Sequence, residues 1–192
     1  MAAPVILAVG ALALLTLVLF GVVIELLRDV RQLREINGIL DRPLDVELGQ
    51  IAGKQPSAFG LPEALDSVGV AIVLFLSDRC GTCHALANGF HGVLPAGLWV
   101  VLEARSPEST EEFLSKYELT ASSTDGRLRV DVAGQIADRI GLRTTPVGFR
   151  VENGRLVRAT TVPSRRYLSS ILPNGVRLDR SVSSPMTERV PV

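Results

Sequence analysis

The segment from Ala71 to Phe90 constrains this chain more than any other. Val70 to Leu76 is an unbroken apolar run, the pattern of a strand buried on both faces, as in a parallel sheet. Ser77, Asp78 and Arg79 follow it, and then Cys80-Gly81-Thr82-Cys83-His84. Ser77 and Asp78 carry helix-capping side chains, and Ala85, Leu86, Ala87 and Phe90 give a helix its apolar positions. The pattern predicts a strand-to-helix junction with Cys80 at or near the helix N-terminus. Unpaired N–H groups and the positive end of the helix dipole favour thiolate over thiol at such a place. Cys-x-x-Cys motifs so placed have thiol pKa values of roughly 3.5–7.5. The thiolate is the nucleophile of disulfide exchange.

The 192-residue chain has only these two cysteines. Three positions apart, they cannot staple distant parts of a fold; the pair is chemical, or it attaches a metal or a haem. Twenty basic and twenty acidic residues give a formal net charge of zero, which removes the electrostatic case for nucleic-acid binding. The length suits one domain of ordinary size with extensions.

Val5 to Ile24 carries no charge, and Thr16 is its one clearly polar side chain. Such a run spans a hydrocarbon core of about 30 Å as a helix. It exceeds the usual signal-peptide core, lacks a basic flank before it, and is followed by no small-residue cleavage site. An uncleaved membrane anchor over residues 1–27 is expected. Leu26, Val30, Leu33, Asn37 and Leu40 recur at spacings of four and three, which predicts a helical spacer over 28–43. A linker is expected from Leu44 to Gly60.

Beyond the cysteines, Leu98–Ala104 reads as a strand, and Ser106-Pro107-Glu108 opens a helix to about Leu119. Arg127–Val132 reads as a third strand and Gly134–Ile140 as a helix ended by Gly141. Thr145-Pro146 leads to a strand over Val147–Val151, a turn at Glu152-Asn153-Gly154-Arg155, and a return strand over Leu156–Val162. Ser164–Leu172 reads as a last helix. Residues 174–192 lack periodicity and are expected to form a disordered tail.

The buried strand, the Cys80-Gly81-Thr82-Cys83 helix start and the later Thr145-Pro146 together resemble the thioredoxin superfamily. The resemblance implies an α/β fold, a central mixed sheet flanked by helices, over residues 44–173. An extra strand–helix unit separates the cysteines from the proline. The resemblance also implies that Cys80 attacks, that Cys83 resolves, and that Pro146 is a cis-proline facing the pair with Thr145 before it. It calls for no cofactor. Four positions depart from the family pattern: Arg79 replaces its Trp, Thr82 its Pro, His84 its Lys, and Leu74 its buried Asp. The proton acceptor for Cys83 is thereby unassigned. His84, one helical turn after Cys80, supplies a cation for the Cys80 thiolate or a proton shuttle, or else is an exposed histidine packing on the helix.

The anchor, spacer and domain together resemble the TlpA/ResA and MauD group of membrane-anchored thiol–disulfide oxidoreductases. That implies protein thiols and disulfides as partners, an outward-facing domain, and a transmembrane electron donor. It also implies a role in assembling a partner protein. Arg28, Arg31, Arg34 and Arg42 after the span argue the other way, because the positive-inside rule places the domain in the cytoplasm. The expectation adopted is an outward-facing, single-pass membrane protein, with the cytoplasm as the alternative.

Two other readings compete. Cys80-Gly81-Thr82-Cys83-His84 also satisfies the c-type haem pattern, with His84 on the iron and His91 or Met186 opposite. Alternatively the domain is a non-catalytic binding module whose groove near Pro146 holds a partner.

Overall fold

The computed structural model describes residues 16–25, 27, 42–120 and 124–173. The chain divides into two units, Met1–Arg42 and Pro43–Val192. In the first, residues 16–25 are helical, and their side chains are exposed. Among the described residues no helix is long and apolar enough to cross a membrane. The span expected over 5–24 and the spacer over 28–43 lie largely outside the described residues, and the tail over 174–192 entirely so.

The second unit is a mixed α/β fold of the thioredoxin-like kind. Its strands are β1 (Asp45–Val46), β2 (Val70–Ser77), β3 (Leu98–Ala104), β4 (Leu128–Val132), β5 (Val147–Glu152) and β6 (Arg155–Thr161). Its helices are α1 (Gly81–Asn88), α2 (Pro107–Lys116), α3 (Gln135–Ile140) and α4 (Arg165–Ile171). The six strands form one sheet in the order β1-β6-β5-β2-β3-β4. β2 runs parallel to β3 and antiparallel to β5, and β3 runs parallel to β4. The β4–α3 unit is the extra strand and helix expected between the cysteines and the proline.

β2 is apolar throughout because both of its faces are covered. Ile72, Leu74 and Leu76 pack in one core with Leu86 of α1, Phe113 of α2 and Leu168 of α4. Ala71, Val73 and Phe75 pack in the opposite core with Leu65 and with Ile136 of α3. Period-two alternation therefore sends successive side chains to two different cores. Phe75 also meets Phe149 of β5 edge-on, with ring centroids 5.2 Å apart. Each fully buried large side chain contributes about 1.5–3 kcal/mol, and Leu74, Phe75 and Leu76 are all 0 % exposed. The strand that leads into the cysteine helix is thus buried on both faces.

Two expectations need correction. The segment over 44–60 is not a linker: β1 pairs with β6 through Asp45↔Thr160 and Val46↔Ala159. The Gly53 N–H then donates to the Leu156 carbonyl at 2.7 Å, and Ile51 is buried in the Phe75 core. The elements here are a two-residue strand and short 3-10 turns, too brief to leave a periodic signature. The α2 helix ends at Lys116 rather than near Leu119. Glu118 takes a φ of 57°, a left-handed backbone that no helix continues through.

The β5–β6 turn has φ of 49° at Asn153 and 69° at Gly154, the type I′ pattern that Asn-Gly sequences favour. Their N–H groups donate to the carbonyls of Gly69 and Val68, docking the hairpin tip on the start of β2. A Cβ at Gly154 would lie 1.8 Å from the Asp66 carbonyl oxygen. Gly154→Ala is therefore expected to destabilise the domain by more than about 1 kcal/mol, from positive φ and backbone overlap together. Urea unfolding measures it; a midpoint equal to that of the parent protein would contradict the docked turn.

Candidate active site

The first residue of the motif caps its own helix. Cys80 has extended backbone, φ −96° and ψ 115°, and its Sγ accepts the Cys83 N–H at 3.3 Å. The Cys80 carbonyl accepts the first helical bond, from the His84 N–H at 3.0 Å. Ser77 and Asp78, expected as caps, are used elsewhere. Ser77 Oγ accepts the Arg79 N–H at 3.4 Å, and Asp78 Oδ2 accepts the Arg105 N–H at 3.3 Å. Side-chain oxygens cap within two or three residues of their own position. The turn at 78–79 leaves Ser77 three and Asp78 two positions before Cys80, the residue that caps α1.

The Thr145–Pro146 peptide bond is cis, and Pro146 is buried. This brings the Thr145 carbonyl to the first cysteine: the Cys80 thiol donates to it at 3.5 Å. Sixty-odd positions apart in sequence, the two sequence-predicted groups thus meet in one contact.

Both cysteines are free thiols, and their environments differ sharply. Cys80 is half-buried at the helix start, while Cys83 is 0 % exposed and packs in the core with Leu74 and Leu86. Burial pushes the Cys83 thiol well above the usual cysteine range, and the neighbouring Cys80 adds to the rise. The Ser77 backbone and the Thr145 hydroxyl act in the opposite direction. Leu74, at the position where the resemblance would place an acid, lies in the same apolar cluster as Cys83. Ser77 and Thr145 are the polar groups that this chain brings to the second sulfur instead.

His84 is half-buried, and both of its ring nitrogens are engaged. Its Nε2 lies 2.9 Å from the Asp78 carbonyl, and its Nδ1 lies 2.8 Å from the Tyr117 hydroxyl. A carbonyl only accepts, so Nε2 carries the proton, and in the neutral ring Nδ1 accepts from Tyr117. The ring also packs against Phe113 and Tyr117 at centroid distances of 5.1 and 5.6 Å. His84 therefore ties the β2–α1 turn to α2. Tyr117 was not singled out from sequence, although Phe113 and Tyr117, four apart, mark the inward face of α2. His91 lies beyond the end of α1, exposed and with φ 48°.

A c-type haem does not fit these groups. Thioether attachment needs both sulfurs at the porphyrin edge, and Cys83 has no exposed surface. Iron ligation needs a nitrogen of His84, and both face protein partners. Met186 lies outside the described residues. Among the described residues no group of three His, Cys, Asp or Glu is placed to hold a metal ion.

Arg79 stands just before the first cysteine, 59 % exposed, with Nη2 at 3.4 Å from Glu103 Oε1. Its Nε lies 3.8 Å from Asp78 Oδ1, a carboxylate whose side chain is 5 % exposed and also faces Arg105. Glu103, at the end of β3, carries no local motif that would mark it in the sequence.

No protein-family model matches this chain, and no curated protein does. Several solved structures are similar to it. One is a secreted Mycobacterium tuberculosis disulfide oxidoreductase described as homologous to E. coli DsbE. It is 22% identical over 59% of this chain and 83% of its own, with a TM-score of 0.41. MTB DsbF, solved in mixed oxidised and reduced forms, is 19% identical over 58% of this chain and 84% of its own, with a TM-score of 0.39. StoA from Bacillus subtilis is 17% identical over 47% of this chain and 71% of its own, with a TM-score of 0.34. At such identities a likeness says nothing about substrate or redox direction.

The two burial environments predict an order of modification. Iodoacetamide at pH 6 is expected to label Cys80 and leave Cys83 unlabelled until the chain is unfolded, as peptide mass mapping would read. The sign of the pH effect follows from the raised Cys83 thiol. The native state keeps a proton that the unfolded chain releases above about pH 8.5, so the reduced protein is fully stabilised below that pH and loses stability above it. Equal labelling of the two cysteines in the folded protein would contradict the assigned asymmetry.

Proposed function

We propose that this chain is a membrane-tethered thiol–disulfide oxidoreductase that exchanges electrons with protein cysteines through the Cys80/Cys83 couple. The observation that carries the proposal is the asymmetric dithiol. A half-buried sulfur caps α1 against the Thr145 carbonyl, and a fully buried sulfur lies one turn on.

In the reducing direction, the Cys80 thiolate attacks one sulfur of a substrate disulfide. The substrate S–S bond breaks, one substrate thiolate leaves and takes up a proton, and a Cys80–substrate disulfide forms. Cys83 then loses its proton and attacks the Cys80 sulfur. The Cys80–Cys83 disulfide forms and the second substrate thiolate leaves. Two electrons have passed from protein to substrate, and the opposite direction uses the same steps in reverse.

The Thr145 contact suits this sequence. When Cys80 gives up its proton, its bond to the Thr145 carbonyl is lost, while the Cys83 N–H bond to the sulfur becomes charge-assisted. The freed carbonyl then accepts an N–H from a substrate strand laid beside it. Burial keeps Cys83 protonated in the reduced protein, so it must give up a proton before the second attack.

Tethering rests on the uncharged run over residues 5–24. The outward orientation rests on the resemblance of the whole arrangement to anchored, outward-facing oxidoreductases, and implies a transmembrane electron donor and partners undergoing assembly.

One experiment tests these points together. Cys83→Ser, expressed as the full chain in cells, is expected to accumulate Cys80-linked mixed disulfides that reductant releases. Exported or extracytoplasmic proteins among the captured partners support the orientation; exclusively cytoplasmic partners would reverse it. A Cys83→Ser chain that traps nothing, like a Cys80→Ser control, would count against the oxidoreductase reading.

A further inference from the structure

Beside the cysteines lies an open groove of about 420 Å³, lined by Arg79, Glu103, Arg143, Thr144 and Thr145 among others. Thr145 forms the end of the groove nearest the reaction, since its carbonyl meets the Cys80 sulfur at 3.5 Å. The two arginines of the groove are held very differently. Arg79 is engaged by Glu103 at 3.4 Å, and that carboxylate is only 25 % exposed. Arg143 is 84 % exposed and faces Asp138 at 3.9 Å, with Asp138 itself 75 % exposed. An exposed pair at that distance holds its partners weakly. The Arg79 charge is thus balanced within the protein, and the Arg143 charge is presented to whatever enters the groove.

Arg143 lies two residues before Thr145. A substrate strand that sets its sulfur against Cys80 and its backbone against Thr145 passes this guanidinium within a residue or two of its cysteine. The planar fork of an arginine matches a carboxylate in two parallel hydrogen bonds. We propose that Arg143 reads an Asp or Glu side chain flanking the reactive cysteine, so that the protein favours acidic-flanked substrate cysteines. The inference rests on the oxidoreductase reading above and adds to it the substrate's local charge. Glu103 sharpens the choice of position, because it already balances Arg79 and leaves the more exposed Arg143 as the donor to an incoming acid.

The test uses the full chain in detergent, reduced beforehand and freed of reductant. Two peptides carry one cysteine each as a mixed disulfide with a chromogenic aryl thiol, and differ only in Glu or Lys beside that cysteine. Attack by Cys80 on the peptide sulfur releases the aryl thiolate, which reports the second-order rate. The Glu peptide is expected to react about five-fold faster at low salt, with the advantage shrinking as ionic strength rises. Arg143→Ala is expected to remove the preference and Arg143→Glu to invert it. Equal rates for the two peptides, or a preference unchanged by Arg143→Glu, overturn the inference alone. Failure of both peptides to react at all overturns the oxidoreductase reading, and this inference with it.

Discussion

The N–H of Cys83 donates to the Cys80 sulfur at 3.3 Å, so the reactive atom and the helix cap are one and the same. A helix start leaves N–H groups without partners, and the chain fills that need with sulfur rather than with the oxygen of a Ser or Asp. Everything near the site is arranged to keep that sulfur in place. β2, buried on both faces, fixes where α1 begins. The cis Thr145–Pro146 bond brings a carbonyl to the other side of the same atom. The His84 ring, clasped between Asp78 and Tyr117, ties the turn to α2.

Burial then divides the labour between the two sulfurs. Three residues of helix carry the chain from a half-open position at Cys80 to a closed one at Cys83. The outer sulfur is reachable by a partner; the inner one is reachable chiefly by its neighbour. The apolar surroundings that shield Cys83 also push its thiol toward the protonated form. Leu74 is part of those surroundings, and the Thr145 hydroxyl and the Ser77 backbone act in the opposite direction. Ser77 and Thr145 also line the groove that holds Arg79 and Arg143.

Much of this was legible in the sequence where the physics is local or strongly patterned. Val70–Leu76 announced a doubly buried strand because two cores leave no polar position along it. The Asn153-Gly154 turn and the helix starts at Ser106 and Ser164 announced themselves because few residues satisfy those backbone demands. The helix cap at Cys80 did not, since Ser77 and Asp78 looked better suited by side-chain chemistry alone, and only the turn geometry at 78–79 excludes them. The short elements over 44–60 leave no signature in the sequence, because a two-residue strand has no period to detect. The roles of Tyr117, Glu103 and Arg143 depend on which elements pack side by side, and no spacing along the chain encodes them. The anchor and the tail are expectations from composition and lie largely or wholly outside the described residues.

The central claim is that Cys80 and Cys83 form one reversible two-electron couple. Equilibrating the full chain in glutathione buffers of graded poise, quenching with acid and counting free thiols by mass measures this directly. The account predicts a single transition in which both thiols are lost together, at a midpoint between about −270 and −120 mV, the range spanned by thioredoxin-like dithiols. Two thiols that stay reduced across the whole range, or that become separately linked to glutathione, would contradict it and leave the groove beside Pro146 as the surface of a binding module.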